Sequence, residues 1–192
     1  VMGGTGALVE SFKKLMTEEG IKIRNNCKIE ELVTENKKIV AVKTNGGENL
    51  KADIFVSNCD PTYFYKDMSS GSKLNIQTKT KLKTAKYSMG LFVLYFGTTK
   101  KYENIAHHTI WLGKRFKSLL NDIFQKKHLA EDFSLYLHRP TATDPSFAPE
   151  GCDSFYVLAP VPNLQAEIDW NVEGPKLKDR IIESLDKTIL PN

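Results

Sequence analysis

Three observations predict an α/β fold. Leu8, Phe12, Leu15 and Met16 recur at helical spacing; after Gly20 the apolar period falls from 3.6 to 2; and two long aromatic and apolar runs, 87–97 and 154–161, precede a second helical stripe. The chain has 192 residues, of which 41% are hydrophobic and 26% charged, the balance of an ordinary folded body rather than a disordered one. That length suffices for one substantial core, or one core with a small satellite.

Each element follows from local chemistry. The first helix carries the stripe from Leu8 to Met16, with Thr5 as the expected N-cap and Gly20 as its stop. Gly3, Gly4 and Gly6 mark a close backbone approach, but they lack the G-x-G-x-x-G spacing of a dinucleotide fingerprint. Ile21 and Ile23 alternate with Lys22 and Arg24, Ile29 follows, and Ile39 and Ala41 lead into the turn at Asn45-Gly46-Gly47, which predicts short strands and a hairpin. The run Ile54-Phe55-Val56 is expected as a buried strand ending at Ser57-Asn58. Ser57 or Asp60, ahead of Pro61, then caps a helix that contains Tyr63, Phe64 and Met68. A polar break at 69–72 separates this region from the next.

Beyond the break, Tyr87 to Gly97 is expected as a strand buried on both faces, because it is an almost unbroken apolar and aromatic run. Ala106 to Leu112 gives another strand, and Phe116, Leu119, Leu120, Ile123 and Phe124 a helical stripe. Phe133 to Arg139 and Ser154 to Val161 are two further strands around a turn-rich segment, 140–151. A last helix is expected to begin near Gly174-Pro175 and to contain Leu177, Ile181, Ile182, Leu185 and Ile189. There is no internal repeat.

The net charge of +4 conceals an asymmetry: from Lys73 to Lys127 twelve Lys and Arg face only Glu103 and Asp122. Such a stretch is a solvated face or a surface for anionic lipid; no RNA- or DNA-binding motif interleaves aromatics with the lysines, so nucleic acid is not an expected partner. Cys27, Cys59 and Cys152 are widely spaced and never C-x-x-C, which excludes a disulfide framework and a zinc knuckle, and the four histidines have no spacing matched to them. No metal site is expected. Val1 to Leu8 lack the pattern of a secretory signal, and no apolar stretch approaches the roughly 20 residues that span a bilayer, so a cytoplasmic protein is expected.

Several stretches resemble the FAD-dependent phytoene desaturases of bacteria and fungi: GGTGALVESFKKLMTEEGIKI at 3–23, VSNCDP at 56–61, YSMGLFVLYFG at 87–97, AHHTIWLGKRF at 106–116 and SLYLHRPTATDPSFAPEGCDSFYVLAPVP at 134–162. The resemblance covers essentially the whole chain. It implies a partial FAD-binding domain of discontinuous, Rossmann-like type at 1–62, a mixed α+β substrate-binding domain at 63–165, and a C-terminal helical segment at 166–192. The family's N-terminal strand, its glycine-rich phosphate loop and its C-terminal flavin motif have no counterpart in this sequence. The resemblance therefore implies an internal fragment that holds flavin poorly or not at all, because backbone N–H groups of that loop supply much of the pyrophosphate recognition.

What the resemblance implies for function is oxidation of a hydrophobic C40 polyene in carotenoid biosynthesis, by a protein that lies peripherally on a membrane. The strand through Ile29 would pass the adenine of FAD with its main chain. Ser57 and Asn58 end a predicted strand, where open α/β sheets place ligands. Phe92, Tyr95, Trp111, Tyr136, Phe155 and Tyr156 lie on predicted strands of the substrate side, and only apolar and π surface can bind a polyene. His138, Arg139 and Asp144 stand at a strand end and in its loop, and no catalytic base is assigned among them. A carotenoid isomerase, ketolase or retinoid saturase would share these motifs, and a non-catalytic apolar-ligand or membrane-binding module stands as an alternative of another class.

Overall fold

A computed structural model of the chain describes residues 2–68 and 76–191. The chain forms two compact units, one made of Val1–Phe12 with Tyr87–Asn192 and the other of Lys13–Lys86. The predicted mixture of helices and sheets is present, and every strand pair is antiparallel.

In the smaller unit, β1 (Ile29–Glu35), β2 (Lys38–Thr44) and β3 (Asn49–Lys51) form a meander in that order. Asn36 and Lys37 both take positive φ, 47° and 64°, the conformation of a two-residue hairpin turn whose twist suits the flanking strands. Asn45 to Gly47 makes the second turn, as predicted, with Gly47 at φ 79°. Helix α1 (Gly4–Glu18) stops at Gly20, where Ile21 N–H donates to the Met16 carbonyl at 2.8 Å and Gly20 N–H to the Thr17 carbonyl. Asp60 caps α2 (Pro61–Tyr63) by accepting from the N–H groups of Thr62 and Tyr63, and the chain continues as a wider turn over Phe64–Met68. Helix α3 (Ile76–Thr84) follows. The polar break at 69–72 lies outside the described residues.

Two expectations fail in this unit for the same reason. Neither 21–24 nor 52–58 forms a strand, and Ile54 and Val56 are 79% and 93% exposed. An apolar run becomes a strand only when a neighbour accepts its ladder hydrogen bonds, and the three-stranded meander leaves these segments unpaired.

The larger unit is built on β4 (Gly90–Thr98), β5 (His108–Trp111), β6 (Leu135–His138) and β7 (Asp153–Val161), in the order β4-β7-β6-β5. Helix α4 (Phe116–Asn121), extended by a wider turn over Asp122–Lys126, joins β5 to β6. Helix α5 (Trp170–Thr188) covers one face of the sheet: Phe155, Val157, Ala159 and Val161 alternate inward along β7 and share a core with Leu177, Ile181 and Leu185. Each such side chain fully buried contributes roughly 1.5–3 kcal/mol.

The last helix begins earlier than expected. Asp169 accepts from Asn171 N–H and caps it, so Pro175 lies inside α5 rather than at its start. Strand β4 is likewise not buried on both faces. It is an edge strand with helix cover on one side, and Leu91, Val93 and Tyr95 are exposed on the other.

Candidate functional site

The uncovered face of the four-stranded sheet carries two rows of side chains set by cross-strand register. Tyr95 pairs with Tyr156, Tyr156 with His138, and His138 with His108, which makes one row across all four strands. The ring centroids along it are 5.7, 4.5 and 5.2 Å apart. The adjacent row holds Val93, Leu158, Tyr136 and Ile110. Directly opposed residues of antiparallel strands bring their Cβ atoms within contact, so the sequence alternation of each strand converts into a continuous aromatic and aliphatic surface.

His107 joins the first row from just before β5, held there by Arg139 N–H, which donates to its carbonyl at 2.9 Å. Its ring lies 4.4 Å from that of His108 and 4.6 Å from that of His138, and the Nε2 atoms of His107 and His138 are 2.7 Å apart. His107 Nδ1 meets the Thr143 hydroxyl, and His108 Nδ1 meets the Tyr136 hydroxyl at 2.6 Å. One ring nitrogen from each of the three histidines lies within 4.8 Å of the others. Burial, then the neighbouring imidazoles, push the pKa of His138 below the ordinary histidine value; burial and then His108 do the same to His107. Both therefore favour the neutral imidazole. Burial, then the hydrogen bond with Tyr136, raises the phenol of Tyr156.

A cleft of about 810 Å³ opens at this end of the sheet, walled by Leu8, Tyr95, Phe147, Phe155, Tyr156 and the histidines His107 and His138. Asp144 anchors its rim. The carboxylate accepts from Gly3 N–H at 2.9 Å, at the entry to α1, and from the Ser146 hydroxyl and N–H, which together hold its pKa below the usual carboxylate range. Helix α1 begins at Gly4, so Thr5 lies inside it rather than capping it, and Asp144, distant in sequence, holds the residue just before it. The approach at Gly4 is close: a Cβ there would stand 2.8 Å from the Phe147 ring, at a φ of 67°. A second cleft, of about 980 Å³, is walled by Trp111, Leu112 and Phe133 together with a charged group of Arg115, Asp122, Asp132 and Arg180.

The residues singled out in the sequence divide by face. Tyr95, Tyr136 and Tyr156 stand on the open face. Phe92 and Trp111 pack on the core beneath α5, and Phe155, 3% exposed, belongs to that core while also closing the cleft. Arg139 is held by structure: it donates to the Tyr102 carbonyl and faces Asp153, which itself accepts from Tyr102 N–H at 2.7 Å. Ile29 is a half-buried ladder residue opposite Thr44, while Ser57 and Asn58 are exposed in a loop, with the Ser57 hydroxyl accepting from Cys59 N–H. With no glycine-rich fingerprint in the sequence, these three do not by themselves make a phosphate cradle.

The histidine cluster was not visible as a motif. His107-His108 opens one predicted strand and His138 ends another, and only the antiparallel pairing of β5 with β6 joins them.

No family model matches the chain. Over 98% of its length it is 45% identical to the phytoene desaturase (lycopene-forming) of Pantoea ananas, and over 99% it is 40% identical to the phytoene desaturase (neurosporene-forming) of Rhodobacter capsulatus. It is 33% identical over 99% of its length to the zeta-carotene-forming phytoene desaturase of Myxococcus xanthus. The chain spans 36–39% of the length of these three relatives. Its fold matches, along the entire chain, 40% of an oxidoreductase from Methanosarcina mazei, with a TM-score of 0.70 at 16% identity.

Proposed function

Starting from a chain homologous over nearly its whole length to a segment of the phytoene desaturases, we propose that it is a fragment of an FAD-dependent carotenoid desaturase, part flavin side and part substrate side. The carrying observation is the sustained identity of 40–45% from one end of the chain to the other. The open sheet face supports it, since a polyene offers only apolar and π surface and the two rows around Tyr95, Tyr136 and Tyr156 present that.

On this reading residues 1–62 belong to the flavin side and 63–165 to the substrate side. Ile29, Ser57 and Asn58 would touch FAD only once the missing phosphate loop is supplied by further sequence. A bound flavin supplies the hydride acceptor for carbon–carbon desaturation. The chain's own residues align the polyene along the sheet, and Leu8, Phe147 and Phe155 line the end of that path. We further propose a peripheral position on a membrane, from which a water-insoluble substrate enters directly. No helix among the described residues is long and apolar enough to cross one.

The test is a complete protein carrying this segment, given FAD and phytoene in lipid vesicles. Desaturated products with absorption at longer wavelength are expected by chromatography. Recovery of only cis–trans isomers would make it an isomerase, and unchanged phytoene with flavin bound would end the reading.

A further inference from the structure

We propose that His107, His108 and His138 form a binding site for a borderline transition-metal dication of the zinc, nickel, cobalt or copper class, set in the wall of the aromatic cleft. The first ground is convergence. One nitrogen from each ring already lies within 4.8 Å of the others, and nitrogens bonded at about 2.0–2.1 Å to one ion stand about 3 Å apart, so ring rotations that draw the widest-set atoms together by up to about 2 Å complete the set. Two bonds of about 2.1 Å to the Nε2 atoms of His107 and His138, 2.7 Å apart, would subtend roughly 80°, near the right angle between neighbouring positions of tetragonal or octahedral coordination.

The second ground is the arrangement behind the ligands. A metal-bound imidazole ordinarily has its other nitrogen fixed by a hydrogen bond, which sets the tautomer and aims the ring. Thr143 does this for His107 at Nδ1, and Tyr136 does it for His108 at Nδ1. Both rings are thereby left to present Nε2. The third ground is donor chemistry: the set is three imidazoles with no carboxylate, which suits borderline dications and gives magnesium or calcium little to bind. On binding, the proton that joins His107 to His138 moves to the Nδ1 of the ring that carried it, so both rings stay neutral, no net proton is released and both Nε2 lone pairs face the ion. The cleft beside the cluster leaves the remaining coordination positions to water or a small ligand.

The experiment uses the full 192-residue chain, stripped with chelator, in a Cys59→Ser background because that thiol is exposed. Cobalt(II) and zinc are titrated separately. One ion per chain is expected, with ligand-field absorption from cobalt and no thiolate charge-transfer band, and with magnesium inert at the same concentration. His108 is exposed, so His108→Gln preserves the fold by circular dichroism and should abolish or severely weaken uptake. Tyr136→Phe, which removes the partner of His108 Nδ1 together with a hydrogen bond to Tyr156 but no ligand atom, should weaken it by about tenfold. Absent uptake overturns the proposal, as does uptake unchanged in His108→Gln. A thiolate band would assign the ion to the remaining cysteines and overturn it equally.

Discussion

Asp144 illustrates how one side chain replaces several local signals. Its carboxylate accepts from Gly3 at the entry to α1 and from Ser146 in its own turn, so it ties two segments 141 residues apart in sequence. These bonds favour the ionised form and lower its pKa in the folded chain. The stabilisation is therefore complete above the unfolded value of about 3.9 and is lost as pH falls through the lower folded value. Asp144→Asn should be less stable than the parent at pH 7, and the gap should shrink on acidification towards pH 3. Denaturant titrations of both proteins at the two pH values check this; a gap that ignores pH would mean the charge contributes nothing.

Among the elements, α5 is where prediction and packing can be separated most cleanly. The sequence presents Ile181 and Ile182 alike among the apolar residues of this helix, yet consecutive helix positions are about 100° apart and meet different surroundings. Ile181 is 0% exposed against β7, while Ile182 is 48% exposed. Ile181→Ala should cost about 2–5 kcal/mol through lost burial and the cavity left behind, and Ile182→Ala well under half of that. Comparing the two by thermal or chemical unfolding tests the orientation of α5 directly, and equal losses would contradict it.

At the scale of the whole molecule, the excess of basic residues between Lys73 and Lys127 is a property no single contact explains. Three lysines near its start, Lys79, Lys81 and Lys83, lie on helix α3. Helical geometry puts Lys79 and Lys83 on one side and Lys81 on nearly the opposite one. Each lysine close to an anionic bilayer contributes about 1 kcal/mol, within a Debye length of about 8 Å. Co-sedimentation with vesicles should rise with anionic lipid and fall with salt. It should weaken in Lys79→Gln/Lys83→Gln more than in Lys81→Gln. Binding indifferent to salt and lipid charge would return the stretch to an ordinary solvated face.

The sequence by itself determined which segments are helix and strand wherever the period was long and the boundary chemistry explicit. Gly20 ends α1, Asp60-Pro61 starts α2, the Asn45–Gly47 turn joins β2 to β3, and the apolar runs at 90–98 and 153–161 are strands. It also carried the family resemblance, since motif order is written in the chain itself. Tertiary structure decided which faces those elements present. Ile54 and Val56 read as a core strand and stand exposed for want of a pairing neighbour; Tyr95 and Phe92 read alike and lie on opposite faces of one strand. The histidine cluster arose in the same way, from a register between β5 and β6 that no spacing within either strand encodes. Local conformation is set by interactions a few residues long, whereas burial and convergence depend on partners far along the chain, so the same apolar or aromatic residue can be core, cleft wall or open surface according to what packs against it.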